Sequence, residues 1–405
     1  MRDKVKYPKD WRLLSIASLV DNNKDLFDDG DWIEAEYLTD SGIRLIQTGN
    51  VGEGTFVDKD KKKYISEQSF TKLKCKELNV GDILICRLAD PAGRACILPD
   101  IGEEKMITSV DVSIYRPRAN CVDRGFLVAS MSTANWFNEI RERCGGSTRT
   151  RIARSELGKM KIPLPPLPEQ KAIAQVLSTA DAAIHTTEKL IAQKELRKKW
   201  LMQQLLTGKK RLKGFEGEWR EVHLGEMFTE RNETKCFDLP LLSIGQNGVY
   251  PQDESVKKDT SNEDKSKYKR ICPGDIGYNT MRMWQGRSAL SELEGIVSPA
   301  YTVVTPKKNA DSVFFSYLFK MPRMTNLFWR NSQGLVDDTL NCKFKDFSIV
   351  KVMLPQTKEE QTAIAKVLQA ADKEISLLKA KANRLREQKK GLMQVLLTGK
   401  KRIVL

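Results

Sequence analysis

The chain has 405 residues, of which 40% are apolar and 7% aromatic, so it is long enough to bury two substantial cores and does not have the composition of a disordered protein. Its formal net charge is +15, an excess that suits a polyanionic or acidic partner. No stretch approaches the roughly 18 apolar residues of a membrane span, and no apolar signal core opens the chain. The eight cysteines form no Cys-x-x-Cys pair. These features predict a reduced, cytoplasmic protein with no membrane contact and no bound metal.

Residues 1–165 are predicted to form a first mixed α/β domain. Short apolar runs at 82–86 and 113–115 are typical of strands, and residues 130–143 read as a helix. The pair Gly81-Asp82 lies at the start of the first of these runs and predicts a turn that leads into a strand.

Residues 166–212 are predicted to form a long helix. The segment 169–211 recurs without a gap as 360–402, and 22 of its 43 positions are identical. Because one inserted residue would rotate the rest of a helix by about 100°, gapless copies indicate matched helices. Each copy carries an apolar heptad stripe, which favours a coiled coil. The predicted seam consists of Ile173, Leu177, Ile184, Ile191, Leu201, Leu205, Ile364, Leu368, Ile375, Leu385, Leu392 and Leu396.

Residues 213–355 are predicted to form a second α/β domain that echoes the first. Glu218-Trp219-Arg220 matches Asp10-Trp11-Arg12, and Gly274-Asp275 matches the earlier Gly-Asp turn. Residues 301–304 read as a strand and 312–319 as a helix. The two domains therefore share a scaffold but little sequence, which makes the chain a pseudo-two-fold repeat.

Residues 356–405 are predicted to form the second long helix, whose first residue the sequence does not fix because the proline-rich entry of the first helix is missing. Helices of this length span roughly 55 to 60 Å. If the two copies pair antiparallel, they place the two domains at opposite ends, although pairing between two chains is an alternative. Residues 169–213 carry ten basic and four acidic side chains, and 359–405 carry eleven and five, so each segment has a charge of +6. This asymmetry makes nucleic acid the leading candidate partner.

The candidate DNA-contacting residues are those whose side chains suit bases or phosphates. Arginine pairs with guanine, asparagine and glutamine pair with adenine, and basic side chains contact phosphates. Those predicted in the first domain are Gln47, Asn50, Arg87, Arg94, Arg149 and Arg151. Those predicted in the second domain are Gln246, Asn247, Asn279, Arg282, Arg287 and Gln333. The loop GGSTRTR at 145–151 is the strongest candidate, and Trp284 is interpreted as a buried aromatic in preference to a DNA wedge.

These features together resemble one known family. Two variable domains that open with Trp-Arg and contain Gly-Asp turns are each followed by a helix that opens with Glu-Gln and ends Leu-Leu-Thr-Gly-Lys-Lys-Arg. The whole chain in this way resembles the specificity subunit of type I restriction-modification systems.

The resemblance implies a non-catalytic subunit in which two target-recognition domains each read half of a bipartite, asymmetric sequence in double-stranded DNA. The helices then set the unread spacer and bind two methyltransferase (modification) subunits. It implies no cofactor in this chain, with S-adenosylmethionine, ATP and Mg²⁺ on the partners, and contact with the restriction/translocase subunits through the complex. Outward residues of the helices, including Ala172, Val176, Ala363 and Val367, are predicted to pack on partner helices.

A catalytic alternative stays open. Clustered carboxylates and a lysine at 100–105 have the residue types of a metal-dependent nuclease, although their spacing is too short for that motif. The alternative is therefore a metal-dependent DNA nuclease or the targeting subunit of another nuclease-methyltransferase type. No cofactor-binding glycine loop, catalytic metal site or phosphate loop is predicted.

Overall fold

A computed structural model of the chain describes residues 7–88, 91–145, 150–245, 248–254, 263–334, 336 and 339–403. The chain divides into two compact units, which we call unit 1 (residues 1–187 and 381–405) and unit 2 (residues 188–380). Both unit boundaries fall inside long helices. The prediction of a mixed α/β architecture with an internal repeat is confirmed.

Unit 1 contains ten short strands: β1 (Arg12–Ser15), β2 (Phe27–Asp29), β3 (Leu38–Thr39), β4 (Ile43–Ile46), β5 (Tyr64–Ile65), β6 (Ile83–Cys86), β7 (Ala95–Ile97), β8 (Met106–Thr108), β9 (Val112–Tyr115) and β10 (Lys161–Leu164). Its helices are α1 (Glu67–Leu73), α2 (Arg124–Ser130), α3 (Ala134–Arg143), α4 (Arg154–Lys159) and the first part of α5 (Leu167–Leu205). The strands form sheets of order β2-β9-β6-β7, β3-β5-β4-β8 and β1-β10.

Unit 2 contains β11 (Arg220–His223), β12 (Phe228–Glu230), β13 (Leu242–Gly245), β14 (Gly248–Pro251), β15 (Lys269–Ile271), β16 (Ile276–Asn279), β17 (Ser288–Leu290), β18 (Gly295–Val297), β19 (Tyr301–Pro306) and β20 (Lys351–Leu354). Its helices are α6 (Leu224–Met227), α7 (Ser312–Leu318), α8 (Pro322–Asn331), α9 (Phe344–Ser348) and most of α10 (Lys358–Leu396). The strands form sheets of order β12-β19-β16-β17, β11-β20, β13-β14 and β15-β18.

The four-stranded sheet β2-β9-β6-β7 of unit 1 has the same strand order as β12-β19-β16-β17 of unit 2. In both sheets a Gly-Asp turn leads into the central strand. Gly81 and Gly274 have φ of 89° and 92°, values that glycine adopts without steric cost. The buried Asp82 and Asp275 each accept a backbone N–H, from Asn79 and Cys272 respectively, at 2.8 Å. The Gly-Asp pair therefore closes the same turn twice.

The predicted helix over 130–143 is interrupted. Helix α2 ends at Ser130 and α3 begins at Ala134, because the Thr133 hydroxyl accepts the backbone N–H of Trp136 and caps a new helix. The strands predicted at 82–86, 113–115 and 301–304 correspond to β6, β9 and β19.

Helices α5 and α10 are 39 residues long and begin at equivalent positions of the repeat. Every residue of the predicted seam is buried or half-buried. In unit 1, Ile173 and Leu177 of α5 share a core with Leu396 of α10, and in unit 2, Leu205 of α5 shares a core with Leu368 of α10. In each unit, then, the beginning of one helix packs beside the end of the other, so the helices run antiparallel.

Candidate DNA-binding surfaces

In each unit, a turn, a helix and a loop come together at the end of the central strand. In unit 1 the turn that follows β6 lies against α3, where the Trp136 Nε1 donates to the Gly93 carbonyl oxygen at 2.9 Å. In unit 2 the turn that follows β16 lies against α8, since a Cβ added at Gly286 would sit 3.3 Å from Thr325 Cγ2.

The loop that follows each of these helices is closed by a backbone pair. Gly145 and Arg151 exchange two N–H···O bonds of 3.0 Å in unit 1, and Gln333 and Asn341 exchange bonds of 3.0 and 2.8 Å in unit 2. The residue after each loop then bonds to the end of the central strand. The N–H of Ile152 donates to Arg87 O in unit 1, and the N–H of Cys342 donates to Thr280 O in unit 2. We call the described residues within 87–94 and 134–151 the turn–helix–loop surface of unit 1, and those within 280–287 and 322–341 that of unit 2.

Most of the predicted DNA-contacting residues fall on these surfaces or border them. Arg151 is exposed and lies 3.1 Å from Asp111 in an ion pair. In unit 2, Arg287 and Gln333 are exposed, while Asn279 and Arg282 are half-buried. Asn279 Oδ1 accepts the N–H of Met281. The structure therefore brings residues from distant sequence segments together around the end of the central strand of each unit.

Two of the predictions in unit 1 are contradicted by burial. Asn50 is 4% exposed, and its amide accepts the Gln47 N–H at 2.9 Å and donates to Val57 O at 2.8 Å. Arg87 is also 4% exposed; it donates to the carbonyls of Ile152 and Val110, and its Nε lies 2.9 Å from Asp29 Oδ1. Both side chains hold the domain together, so their donors are not available to a base.

Arg94 and Gln47 have positioning roles. Arg94 is half-buried and donates to the carbonyls of Val51 and Thr48 at 3.0 and 3.3 Å. Gln47 begins the same 3-10 turn through its backbone: its N–H donates to Asn50 Oδ1 at 2.9 Å, and its carbonyl oxygen accepts the Asn50 N–H at 2.8 Å. Arg94 thus ties the turn over Thr48–Asn50 to the strand β7 that follows it.

Three further predicted residues, Arg149, Gln246 and Asn247, lie outside the described residues. Trp284 is half-buried, less than the full burial that was expected, and its Nε1 donates to the Met281 carbonyl oxygen at 3.1 Å.

Sequence reasoning missed the exposed face of α8. Met324 and Phe328 are buried, whereas Arg323, Trp329 and Arg330 are exposed, with Trp329 at 45%. The amphipathic spacing of residues 322–331 was the available signal. An exposed tryptophan beside arginines supplies both a stacking surface and phosphate-binding charge.

The repeated Glu-Gln and Lys-Lys-Arg motifs meet where the two long helices pair. Arg402 donates to the buried Glu169 in unit 1 with Nε–Oε1 and Nη2–Oε2 distances of 2.5 and 2.7 Å. Arg211 makes the equivalent bidentate contact with Glu360 in unit 2, at 2.6 and 2.7 Å. The arginine that follows one helix therefore neutralises a glutamate in the first turn of the other, which explains why the motifs occur together.

A second ion pair recurs further along the helices. Lys389 Nζ lies 2.6 Å from Asp181 in unit 1, and Lys198 Nζ lies 2.5 Å from Asp372 in unit 2. In the repeat, Lys198 is equivalent to Lys389, and Asp181 is equivalent to Asp372. The same ion pair therefore forms twice, and the helix that supplies the lysine in one unit supplies the aspartate in the other.

The acidic segment at 100–105 is held by ordinary surface contacts. Asp100 Oδ1 accepts the Gly102 N–H, Glu103 accepts Tyr64 Oη at 3.0 Å, and Lys105 pairs with Glu67. Within the described ranges, no three histidine, cysteine or acidic side chains are grouped as metal ligands. Among the same residues, no helix has the length and apolarity needed to cross a membrane.

The chain matches a family model described as "Type I restriction modification DNA specificity domain" over residues 10–195 and 216–387. Among curated proteins, it is 26% identical over 98% of its length to the putative type I restriction enzyme MjaX specificity subunit of Methanocaldococcus jannaschii, covering 95% of that protein. It is 25% identical to the MjaVIII specificity subunit of the same organism, with 82% of this chain and 83% of that protein covered.

Solved structures show the same fold. The S subunit of the type I restriction-modification system from M. genitalium aligns with a TM-score of 0.57 and 15% identity over 98% of both chains. The HsdS subunit from Thermoanaerobacter tengcongensis aligns with a TM-score of 0.51 and 16% identity, over 98% of this chain and 99% of that one. The two family-model matches cover both repeats, and the chain therefore belongs to the family of type I restriction-modification specificity subunits, with two DNA-recognition domains.

Proposed function

We propose that this chain acts in the cytoplasm as a non-catalytic subunit in which each turn–helix–loop surface reads one half of a bipartite DNA target. The observation that carries this proposal is the repeated construction of one surface with different side chains. Unit 1 presents Arg151 and the exposed Arg141 and Arg143 of α3, whereas unit 2 presents Arg287 and Gln333. Because base identity is read by side-chain donors and acceptors, two differently equipped surfaces read two different half-sites.

The paired helices are proposed to set the unread spacer between the half-sites. In support, both unit boundaries lie within the helices, and each unit holds its helix segments together through the same glutamate–arginine and aspartate–lysine pairs. A repeated pair of contacts keeps the register of the two helices fixed, as a spacer of constant length requires.

The helices are also proposed to bind two methyltransferase subunits. Ala172, Ala363 and Val367 are half-exposed, and Val176 is exposed. Such small apolar residues on an outer face allow further helices to pack closely. Since the repeat presents equivalent residues on both copies, two equivalent methyltransferase subunits are expected. These subunits carry S-adenosylmethionine, whereas ATP is expected on the restriction subunits that join through the complex and Mg²⁺ on the partner subunits.

The test is genome-wide mapping of adenine methylation in cells that express this chain with its neighbouring methyltransferase subunit, compared with cells that express the methyltransferase alone. We expect a methylated, asymmetric, bipartite motif that appears only when this chain is present. Absence of a new motif, with the complex shown to be assembled and the methyltransferase active, would refute the proposal.

Absence of catalysis is tested separately with the purified chain. We expect no cleavage of plasmid DNA in the presence of Mg²⁺ or Mn²⁺. Metal-dependent cleavage that is abolished by Glu104→Ala would instead establish the nuclease alternative, because Glu104 lies in the acidic segment and is exposed.

A further inference from the structure

Unit 1 contains a cavity of about 570 Å³ between the α2–α3 junction, strand β10 and the last turns of α10. Its apolar part is formed by Tyr7, Pro163, Met393 and Leu397. Its polar part is formed by the hydroxyls of the α2–α3 junction and by lysines and an arginine of the C-terminal segment. A cavity of this size accommodates one or two large side chains.

The equivalent place in unit 2 is nearly filled. A space of only about 30 Å³ remains there beside Leu206 and Thr207, which are the repeat equivalents of Leu397 and Thr398. Most residues of the long-helix wall are the same in both units, although Arg386 of unit 1 corresponds to Glu195 of unit 2. The difference in volume arises on the opposite wall.

Two pairs of equivalent positions differ in size on the opposite wall. Helices α2 and α7 have seven residues each and are capped by Asp123 and Asp311, so Ser130 occupies the position of Leu318. By the same alignment of helix caps, Thr133 occupies the position of Met321. Leu318 and Met321 both line the small space in unit 2. In unit 2, large apolar side chains thus occupy the space that short hydroxyl side chains leave open in unit 1.

The cavity is strongly basic. Arg386, Lys389, Lys390 and Lys400 line it, and none of its described lining residues is acidic. Lys389 is neutralised by Asp181, but Lys390 and Lys400 have no ion-pair partner among the residues that the structure describes. A cationic rim beside an apolar floor attracts a ligand that is anionic outside and apolar at its centre.

We propose that this cavity binds an acidic peptide segment of a partner protein, with an apolar side chain on the floor formed by Met393 and Leu397 and carboxylates beside Lys390 and Lys400. A DNA backbone fits the rim but not the floor, because phosphates and sugars gain little from burial against methionine and leucine. The proposal is independent of half-site reading, since the cavity lies at the N-terminal end of α3 and the loop closed by Arg151 lies at its other end.

The test uses the full-length chain and a fluorescein-labelled peptide in which one leucine and one phenylalanine are flanked by glutamates, measured by fluorescence anisotropy. Ser130→Leu introduces the residue of unit 2 and should narrow the cavity next to its apolar floor. Lys390→Glu combined with Lys400→Glu should repel the peptide without any change in the core. Each is expected to weaken binding by about tenfold or more, equivalent to about 1.4 kcal/mol.

The repeat supplies a matched control, since Lys199 and Lys209 are the equivalents of Lys390 and Lys400. Lys199→Glu combined with Lys209→Glu should leave the peptide affinity within about twofold of that of the unaltered chain, because salt screens the long-range effect of distant charges. No saturable binding by the unaltered chain, or equal losses in both double variants, would overturn the proposal. Equal affinity for an all-glutamate peptide would also overturn it. So would full displacement of the peptide by a short DNA duplex whose own binding requires Lys390 and Lys400.

Discussion

Glu169 and Glu360 are buried carboxylates whose charge is balanced by one arginine each. They are only 3% and 2% exposed, and each receives two hydrogen bonds from the guanidinium of Arg402 or Arg211. Removal of one member of a buried pair leaves the other charged and desolvated, which costs more than the pair contributes. The last residue of the Leu-Leu-Thr-Gly-Lys-Lys-Arg motif is therefore structural.

Replacing Arg211 by alanine is expected to lower the free energy of unfolding by roughly 2 to 3 kcal/mol. The value lies below that of a fully buried pair because the Arg211 side chain is 24% exposed. Urea denaturation of the full chain measures it. Lys209→Ala, two residues earlier and exposed, is the control and should change stability by about 0.5 kcal/mol or less. Equal effects of the two substitutions would contradict the assigned role.

The cysteines are expected to differ in reactivity. Burial raises the pKa of Cys75 to about 11 and that of Cys96 and Cys342 to about 12, so their reactive thiolates are scarce at pH 8. Iodoacetamide at pH 8 should therefore modify the exposed Cys121 and leave these three unmodified, whereas all eight should react in denaturant. Peptide mapping by mass spectrometry checks this, and modification of Cys96 in the folded chain at the rate of Cys121 would disprove it.

Residue types alone could not separate DNA-contacting side chains from structural ones. Asn50 and Arg87 have the donors that bases require, but those donors are directed at backbone carbonyls, and for Arg87 one of these belongs to Ile152, far away in sequence. The exposed Arg151 and Gln333 were selected by the same reasoning. Burial separates the accessible side chains from the structural ones, and it depends on long-range packing that a local pattern does not reveal.

At the scale of elements, the long helices were the most predictable part of the chain. Their seam follows from a heptad pattern, which is local, and their matched lengths follow from the gapless repeat. The sheet pairings could not be predicted in the same way. The parallel pair β4–β8 joins Arg44 to Met106, and no local pattern in either strand specifies that partner.

The glutamine of each Glu-Gln motif connects a long helix to a neighbouring short one. Gln170 Oε1 accepts the N–H of Asp123 at 2.9 Å, and its Nε2 donates to Pro165 O at 2.9 Å. Gln361 makes the equivalent bond with Asp311 at 3.0 Å. Asp123 and Asp311 cap α2 and α7. One buried amide thus fixes where the recognition domain joins the helix.

Gln170→Ala should therefore lower the free energy of unfolding by about 1 to 3 kcal/mol, because it leaves the Asp123 N–H and the carbonyls of Pro165 and Cys121 without their partner. Hydrogen exchange at the amide of Asp123 should accelerate as well. Gln175→Ala, on the exposed face of the same helix, is the matched control and should do neither. An unchanged exchange rate at Asp123 would show that water replaces the glutamine at no cost.

At the scale of the whole molecule, the repeat allows one recognition domain to be exchanged without the other. Unit 1 and unit 2 each contain their own core, their own turn–helix–loop surface and their own glutamate–arginine pair. Contacts that are complete within a unit do not depend on the sequence of the other unit. The short motifs that the two domains share predicted this autonomy from the sequence. The smaller sheets, which differ between the two units, could not be predicted from it.

Replacement of residues 1–160 by the first domain of another family member should change one half of the methylated motif and leave the other half unchanged. The reason is that, under the proposed function, the base contacts to each half-site come from side chains of one unit only. Methylation mapping in cells gives both halves in one experiment. The reciprocal exchange of residues 213–355 is the control and should alter the other half. A change in both halves after either exchange would contradict domain autonomy.

The spacer should respond to the length of the helices. Seven residues inserted after Thr187 and seven after Ala380, where the unit boundaries fall, preserve the apolar seam because a heptad is two turns of a coiled coil. Each helix becomes longer by roughly 10.5 Å, which corresponds to about three base pairs at 3.4 Å each. Methylation mapping should therefore show both half-sites unchanged and the spacer about three base pairs longer.

Insertion into α5 alone should instead shift Lys198 away from Asp372 and abolish methylation, since the two helices would lose their common register. An unchanged spacer after the matched insertion would show that some other element sets the distance between the half-sites.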